Sequence, residues 1–318
     1  MSMTFAWVGL HAEGIPALDA LLAAGAPIRC VLTLRPDLAA KRSGGADYQP
    51  VCRRHNVPLV HISNINETHA HCVLANIDPD IVFVIGWHQM VREPVLRLAR
   101  IGMIGAHASL LPHNRGSAPI NWAIIKGERE TGNTLFWLAE SVDAGDMIDQ
   151  MAFRITPYDT CATLYQKVAT ANRDMLVRLL PRLLEGERPA TPQPHSDESV
   201  LRRRRPADGR IEWSDRAGVL YDFIRALTHP YPGAFSWLRG QKWHVWEAAA
   251  LPVDIEHGAQ PGTVLGPVVS PRVGACGQLV ACGEGAIILL KLSNEHGKVL
   301  TGSELSDLVD AGERWSGE

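Results

Sequence analysis

The sequence predicts an α/β fold, a doubly wound parallel sheet with helices on both faces, followed by a small antiparallel barrel. Three observations carry this. Short apolar runs alternate with helically spaced segments as far as residue 107. The chain turns polar and proline-rich between residues 189 and 206. Beyond that, short apolar runs recur at close spacing.

Taken in order, residues 5–9 (FAWVG) form a short apolar strand that meets a turn at Gly9. Residues 15–24 form a helix with Ile15, Leu18, Leu21 and Leu22 on one face. Residues 28–34 are a second buried strand, 47–55 a helix and 58–60 a strand. Residues 80–86 (DIVFVIG) are the clearest strand, with an acidic start, five apolar residues and a glycine exit. Another helix and a short strand at 103–107 follow. Past the linker, Ser214 is positioned to cap a helix over 215–227. Strands are expected at 234–238, 243–246, 262–265, 279–282 and 286–292. The expected domains are 1–195 and 208–318, joined by a linker at 196–207. Trp213, Trp237, Trp243 and Trp246 are read as core of the second.

The chain has 318 residues, room for two domains of roughly 100–200 residues each. With 46% hydrophobic and 20% charged residues it has material for a large core, which excludes global disorder. The net charge of −3 gives no broad basic footprint for nucleic acid. The six cysteines (Cys30, Cys52, Cys72, Cys161, Cys276, Cys282) form no CxxC pair. No signal peptide is evident, so they read as reduced thiols of a cytoplasmic protein. No stretch approaches the roughly 18–20 apolar residues of a membrane span. The thirteen histidines form no ligand pair with supporting carboxylates, so no metal is expected.

Sheets of this class bind ligands beyond the carboxyl ends of their strands, which points to the segments after Gly9, Gly86 and His107. The first of these, GLHAEG, is not the GxGxxG of a dinucleotide site. The informative stretch is 105–146. His107 ends a strand, 109–116 is an irregular loop, and Ser117 is placed to cap a helix with Pro119 in its first turn. Asp143 follows a strand at 134–138. A histidine and an aspartate at neighbouring strand ends can form an acid/base pair, the carboxylate favouring the charged ring. Spacing alone favours the plainer reading, in which His107 is an edge histidine and Asp143 a turn residue beside Gly145.

The pattern H-x-S-L-L-P-x-x-R-G-x-A-P from His107, then E-T-G-x-T from Glu130 and V-D-x-G-D from Val142, resembles the 10-formyltetrahydrofolate-dependent formyltransferase family. The resemblance runs on through DGRIEW at 208–213, FIRAL at 223–227, PGAF at 232–235 and QPG at 260–262. These are similar to the C-terminal domain of methionyl-tRNA formyltransferases and to the aminoarabinose transformylase.

The resemblance implies a Rossmann-like domain followed by an open, OB-like barrel. It implies an enzyme that moves a formyl group from 10-formyltetrahydrofolate to a primary amine. His107 would be the general acid/base and Asp143 would hold its imidazolium. Folate would lie along Gln89, Met90 and Val91 and against Ala139, Glu140, Ser141, Val142 and Asp143. The acceptor would meet Ser109, Arg115, Gly116 and Ser117. One departure stands out: Gly105 occupies the place of the family's catalytic Asn, whose amide stabilises the developing oxyanion. The space left there is expected to open onto the reacting carbonyl and to hold water or a polar group.

For the acceptor, an amino-sugar nucleotide is favoured over methionyl-tRNA and over a hydroxyornithine-type siderophore precursor. A non-catalytic folate or sugar-nucleotide binder is the remaining alternative, because of Gly105. The segment 35–50 is only modestly basic, with Arg35, Lys41 and Arg42 set against Asp37 and Asp47. Near-neutral charge argues further against tRNA, since phosphate neutralisation dominates nucleic-acid affinity. The contrary feature is the run Arg202, Arg203, Arg204, Arg205. A homodimer is compatible with this reading.

Overall fold

Strands buried on both faces carry apolar residues without alternation, and the first strands here do so. In the computed structural model, which describes residues 3–195, 200–251, 255–268 and 276–316, β1 (Phe5–Gly9) and β4 (Ile81–Ile85) bury every residue. With β2 (Ile28–Leu34), β3 (Leu59–Ile62), β5 (Gly102–His107), β6 (Glu130–Trp137) and β7 (Met147–Arg154) they make a seven-stranded sheet. Its order is β3-β2-β1-β4-β5-β6-β7. The first five strands are parallel, whereas β6 and β7 run antiparallel, so the sheet is mixed rather than wholly parallel.

The two faces bury separate clusters. Phe5, Trp7, Phe83 and Ile85 pack with Leu18 and Leu21 of α1 (Ile15–Ala23) and Val51 of α3 (Gln49–His55). Met175, Leu179 and Leu183 of α7 (Cys161–Leu184) join them. On the other face Ala6, Val8, Val82 and Val84 pack with Ala70 and Leu74 of α4 (Thr68–Ile77) and Val95 of α5 (Glu93–Leu96). Alternate residues of one strand therefore serve opposite clusters. A short helix, α2 (Pro36–Ala39), follows β2, and the helix expected after β4 is a single turn, α5. Helices α4 and α7 and strand β7 are additions to the sequence reading.

The chain divides into two compact units. The first comprises Met1–Ile120, Arg129–Ile155 and Thr163–Arg203; the second comprises Asn121–Glu128, Thr156–Ala162 and Arg204–Glu318. Residues 196–199 of the expected linker lie outside the described residues.

The second unit holds an antiparallel sheet of β8 (Ala234–Leu238), β9 (Gln241–Ala250), β10 (Val264–Val268), β11 (Gly277–Ala281), β12 (Ala286–Asn294) and β13 (Val299–Thr301). Its order is β10-β11-β12-β9-β8, with β13 paired to β12. Helix α8 (Ala217–Leu227) packs on β9, and the turn α9 (Ser303–Ser306) lies by β11. Ser214 does not cap α8. The flanking residue is Arg216, because 215–217 are bonded to 283–284 through Gly283 N–H to Asp215 O and Ala217 N–H to Glu284 O.

The tryptophan expectation holds for Trp213 and Trp243, which are buried. It fails for Trp237 and Trp246, which are half-buried. Strand parity is the reason. Residues 243 and 246 face opposite sides of β9, and Trp237 pairs with Lys242 on the Trp246 side. There Trp246 stacks on His229, with ring centroids 4.0 Å apart.

Candidate active site

His107 is the last residue of β5 and is 7% exposed. Its Nε2–H donates to the main-chain oxygen of Asn114 at 2.8 Å, and its Nδ1 lies 3.5 Å from Asp143 Oδ2. Each ring nitrogen thus faces an oxygen, and the ring can donate from both only when doubly protonated. Asp143 is itself fixed. Its Oδ2 accepts the Gly116 amide at 2.9 Å, and the Gln193 side-chain amide donates to the carbonyls of Asp143 and Gly145 at 2.8 and 2.7 Å. Asp143 has a φ of 49°, the left-handed region that aspartate tolerates better than most residues.

The 109–116 loop owes its shape to side-chain bonds from the neighbouring strands. Thr134 Oγ1, fully buried on β6, donates to Ser109 O and accepts from Leu111 N–H and the Gln150 side-chain amide. Ser109 Oγ donates to His113 O at 2.7 Å. Asn114, buried and left-handed at φ 55°, turns its carbonyl onto His107. Arg115 Nε donates to Pro112 O at 3.3 Å, and its carbonyl accepts from Leu201 N–H. Ser117 is not a helix cap. Helix α6 (Pro119–Ile125) starts two residues on, with Ala118 at φ 56° between, and the Ser117 amide donates to Leu201 O.

Gly105 lies on the same face of β5 as His107, but the expected space is not there. A Cβ on Gly105 would stand 2.4 Å from Leu138 Cδ2 and 3.3 Å from Phe136 Cε1. The Leu138 side chain, entering from the end of β6, fills the place with hydrocarbon instead of water or a polar group.

The segments read as folate-binding are two loops beyond the sheet. The Gln89 side chain is engaged within the protein, accepting from Ile65 N–H and donating to Ser63 O. It ties the β4 exit to the β3 exit. Asn66 reinforces this by donating to Met90 O and accepting from Arg92 N–H. Met90 is 50% exposed and Val91 is buried. Across β5, Ala139, Glu140, Ser141 and Val142 are all exposed. The geometry joins His107, Asp143, Gly116 and Gly105 in one locality. It leaves the hydroxyls and guanidinium of Ser109 and Arg115 bonded inside their own loop.

Sequence reading missed Asn114, Thr134, Leu138, Gln150 and Gln193. Only Asn114 carries a local signal, an asparagine before Arg-Gly where a left-handed turn is favoured. The arginine run is not a uniform basic strip. In the second unit Arg204 lies 5.0 Å from the Trp122 ring centroid and 5.5 Å from that of Phe223. The Arg205 amide donates to Asp208.

Two family models match the chain, Formyl transferase over residues 18–180 and Formyl transferase, C-terminal domain, over 204–307. Among solved structures, HypX from Aquifex aeolicus in complex with tetrahydrofolic acid is similar at 19% identity and TM-score 0.65 over 95% of this chain. This chain spans 46% of the length of HypX. WlaRD, described as a sugar 3N-formyl transferase in the presence of dTDP and 5-N-formyl-THF, is similar at 15% identity and TM-score 0.66, over 94% of this chain and 100% of its own. An N-formyltransferase from Helicobacter canadensis, in complex with folinic acid and dTDP-3-aminofucose, is similar at 15% identity and TM-score 0.66, over 90% of this chain and 98% of its own. At such identities the likeness is one of fold. The family models cover both units and the whole His107–Asp143 locality, and the chain belongs to the formyl transferase family.

Proposed function

We propose that this protein transfers the formyl group of 10-formyltetrahydrofolate to the primary amine of an amino-sugar nucleotide. The observation that carries this reading is His107 at the end of β5, held between the Asn114 carbonyl and the Asp143 carboxylate. The acceptor nitrogen attacks the formyl carbon, a carbon–nitrogen bond forms, and the bond to folate N10 breaks. The proton lost by the amine ends on N10, and His107 Nε2 carries it once the Asn114 carbonyl gives way. The ring starts neutral with Nδ1–H toward Asp143, is charged only while it holds the amine's proton, and Asp143 stabilises that charged state. Folate lies along 89–91 and 139–143 in this reading.

The oxyanion loses one donor relative to relatives with Asn at the position of Gly105, because Leu138 fills that place. Loss of one such donor typically lowers turnover by about 10²–10³. The charged His107 ring is then the main counter-charge. The same observation favours a second reading, a protein that binds folate and sugar nucleotide without turnover.

The sugar nucleotide is preferred on the near-neutral charge of the chain and on the sugar-nucleotide complexes of the proteins compared above. The test is a panel of amines incubated with 10-formyltetrahydrofolate and read by mass spectrometry for a gained formyl group. It includes dTDP- and UDP-linked amino sugars, hydroxyornithine and charged initiator tRNA. Formylation of an amino-sugar nucleotide is expected. Efficient formylation of the tRNA, falling steeply with salt, overturns the acceptor assignment. A rise in melting temperature with 5-formyltetrahydrofolate but no transfer to any amine favours the second reading.

A further inference from the structure

The chain that leaves α7 returns to the His107 locality twice. Thr191 pairs with Met147 at the start of β7, each amide donating to the other's carbonyl at 2.8 Å. Two residues on, Gln193 reaches the turn that carries Asp143. Leu201 then lies beside the Arg115–Ser117 loop as a short parallel bridge to Gly116. All of these residues belong to the first unit.

Gln193 is half-buried, and only one end of its amide is bonded. A primary amide nitrogen carries two N–H groups, and here they go to Asp143 O at 2.8 Å and Gly145 O at 2.7 Å. Its Oε1 is buried without a hydrogen-bond partner. Such an atom calls for a reason, and the two donated bonds supply one. The turn they hold is tightly built. Asp143 has a φ of 49°, and a Cβ on Gly145 would stand 1.7 Å from Trp137 O, so the main chain there lies directly on β6. Pinning the carbonyls on both sides of Ala144 fixes the turn and with it the direction of the Asp143 side chain.

Leu201 acts on the other side of the carboxylate. Its N–H donates to Arg115 O at 2.7 Å, and Gly116 N–H, in the same peptide group, donates to Asp143 Oδ2 at 2.9 Å. A peptide group is planar, so fixing its oxygen fixes the direction of its N–H. Leu201 O accepts the Ser117 amide at 3.1 Å, which closes the pairing around Gly116. Gly116 has a φ of 108°, and a Cβ there would stand 2.5 Å from Leu201 O, so the two main chains touch. A chain of polar contacts thus runs from Leu201 through the Arg115–Gly116 peptide and Asp143 Oδ2 to His107 Nδ1, each polarising the next.

We propose that Gln193 and Leu201 are positioning residues for the transfer. Gln193 acts through the Asp143 and Gly145 carbonyls and Leu201 through the Arg115–Gly116 peptide, and together they aim the Asp143 carboxylate at His107. The proposal rests on the reading of His107 as the proton carrier and adds the residues that keep its partner in place.

Two measurements on the full chain test it. The first needs no substrate: hydrogen exchange of the Gly116 amide, resolved residue by residue. Gln193→Glu keeps the shape of the side chain but, when ionised, has no donor; Leu201→Pro removes the N–H that fixes the Arg115 carbonyl. Both variants, checked as folded by their unfolding transitions, are expected to exchange Gly116 about tenfold faster or more. The second is turnover at saturating folate and acceptor. Gln193→Glu is expected to lower it about tenfold or more in the wild-type background, but less than about twofold where Asp143→Asn has already removed the charge it aims. A residue that only supports the fold lowers both equally. Unchanged Gly116 exchange in both variants, or an equal loss in both backgrounds, overturns the positioning role. A wild type that formylates no amine overturns the transfer reading, and Gly116 exchange then decides alone whether the two residues hold Asp143.

Discussion

His88 shows how burial and charge set the state of one side chain. Desolvation, then the charges of Arg42, His11 and Arg203, push it from 6.5 to about 4. Between those values the unfolded chain binds a proton that the native chain does not. Stability at neutral pH is therefore lost as the pH falls from about 6.5 towards 4. Discounted for a half-buried ring, the loss is about 1–2 kcal/mol. His88→Gln should flatten the corresponding fall in unfolding temperature between pH 7 and 4; an unchanged slope contradicts the assignment. Asp143 is the second residue-scale case. Its Oδ2 is shared by the Gly116 amide and the His107 ring. Asp143→Asn keeps the shape but not the charge, and turnover should fall by about 10²–10⁴ with folate affinity nearly unchanged, as steady-state rates and folate titration would show. Equal loss of both would show that the Asp143 carboxylate, and not only the main chain of the 139–143 segment, holds the folate.

Between elements, the junction of β5 and β6 decides the chemistry that Gly105 allows. Because Leu138 Cδ2 stands 2.4 Å from where a Cβ would go, Gly105→Asn has to displace a packed side chain. The single variant is expected to lose about 1–3 kcal/mol of stability without gaining rate. Combining it with Leu138→Ala should recover part of the stability and raise turnover above that of the single variant. Thermal unfolding and initial rates check both, and a faster, undestabilised single variant would show that the space is open after all. Residues 105 and 138 meet only through sheet pairing, which is why a local reading of the sequence gives the space to water or a polar group. Strands β1, β2 and β8 were legible residue for residue, since apolar runs ending in turn residues leave little choice. Helix α4 was not, because its buried stripe is only Ala70 and Leu74. Strand β7 was not, because its outer position leaves polar and apolar residues mixed. Helix α7 shows the opposite failure: Leu164, Val168, Ala171, Met175 and Leu179 fall at helical spacing and were readable. The His107–Asp143 pair was legible through a long motif, whereas Gln193, which steadies Asp143, sits in a segment that reads as linker.

Across the molecule, the proposed site of the first unit lies at the end of β5, on the side of the sheet where parallel strands β1, β4 and β5 end together, the position at which open α/β sheets bind ligands. The second unit is an antiparallel sheet with its own buried core of Trp213, Trp243, Val245 and Leu289. No helix among the described residues is long and apolar enough to cross a membrane. The central proposal is that formyl transfer runs through His107. The measurement that tests it most directly is the rate of 10-formyltetrahydrofolate-dependent formylation of an amino-sugar nucleotide by wild type and by His107→Ala, with folate affinity measured alongside. A loss of about 10²–10⁴ in turnover with folate binding nearly intact is expected; a His107→Ala variant that works at the wild-type rate would contradict a role for His107 in the transfer.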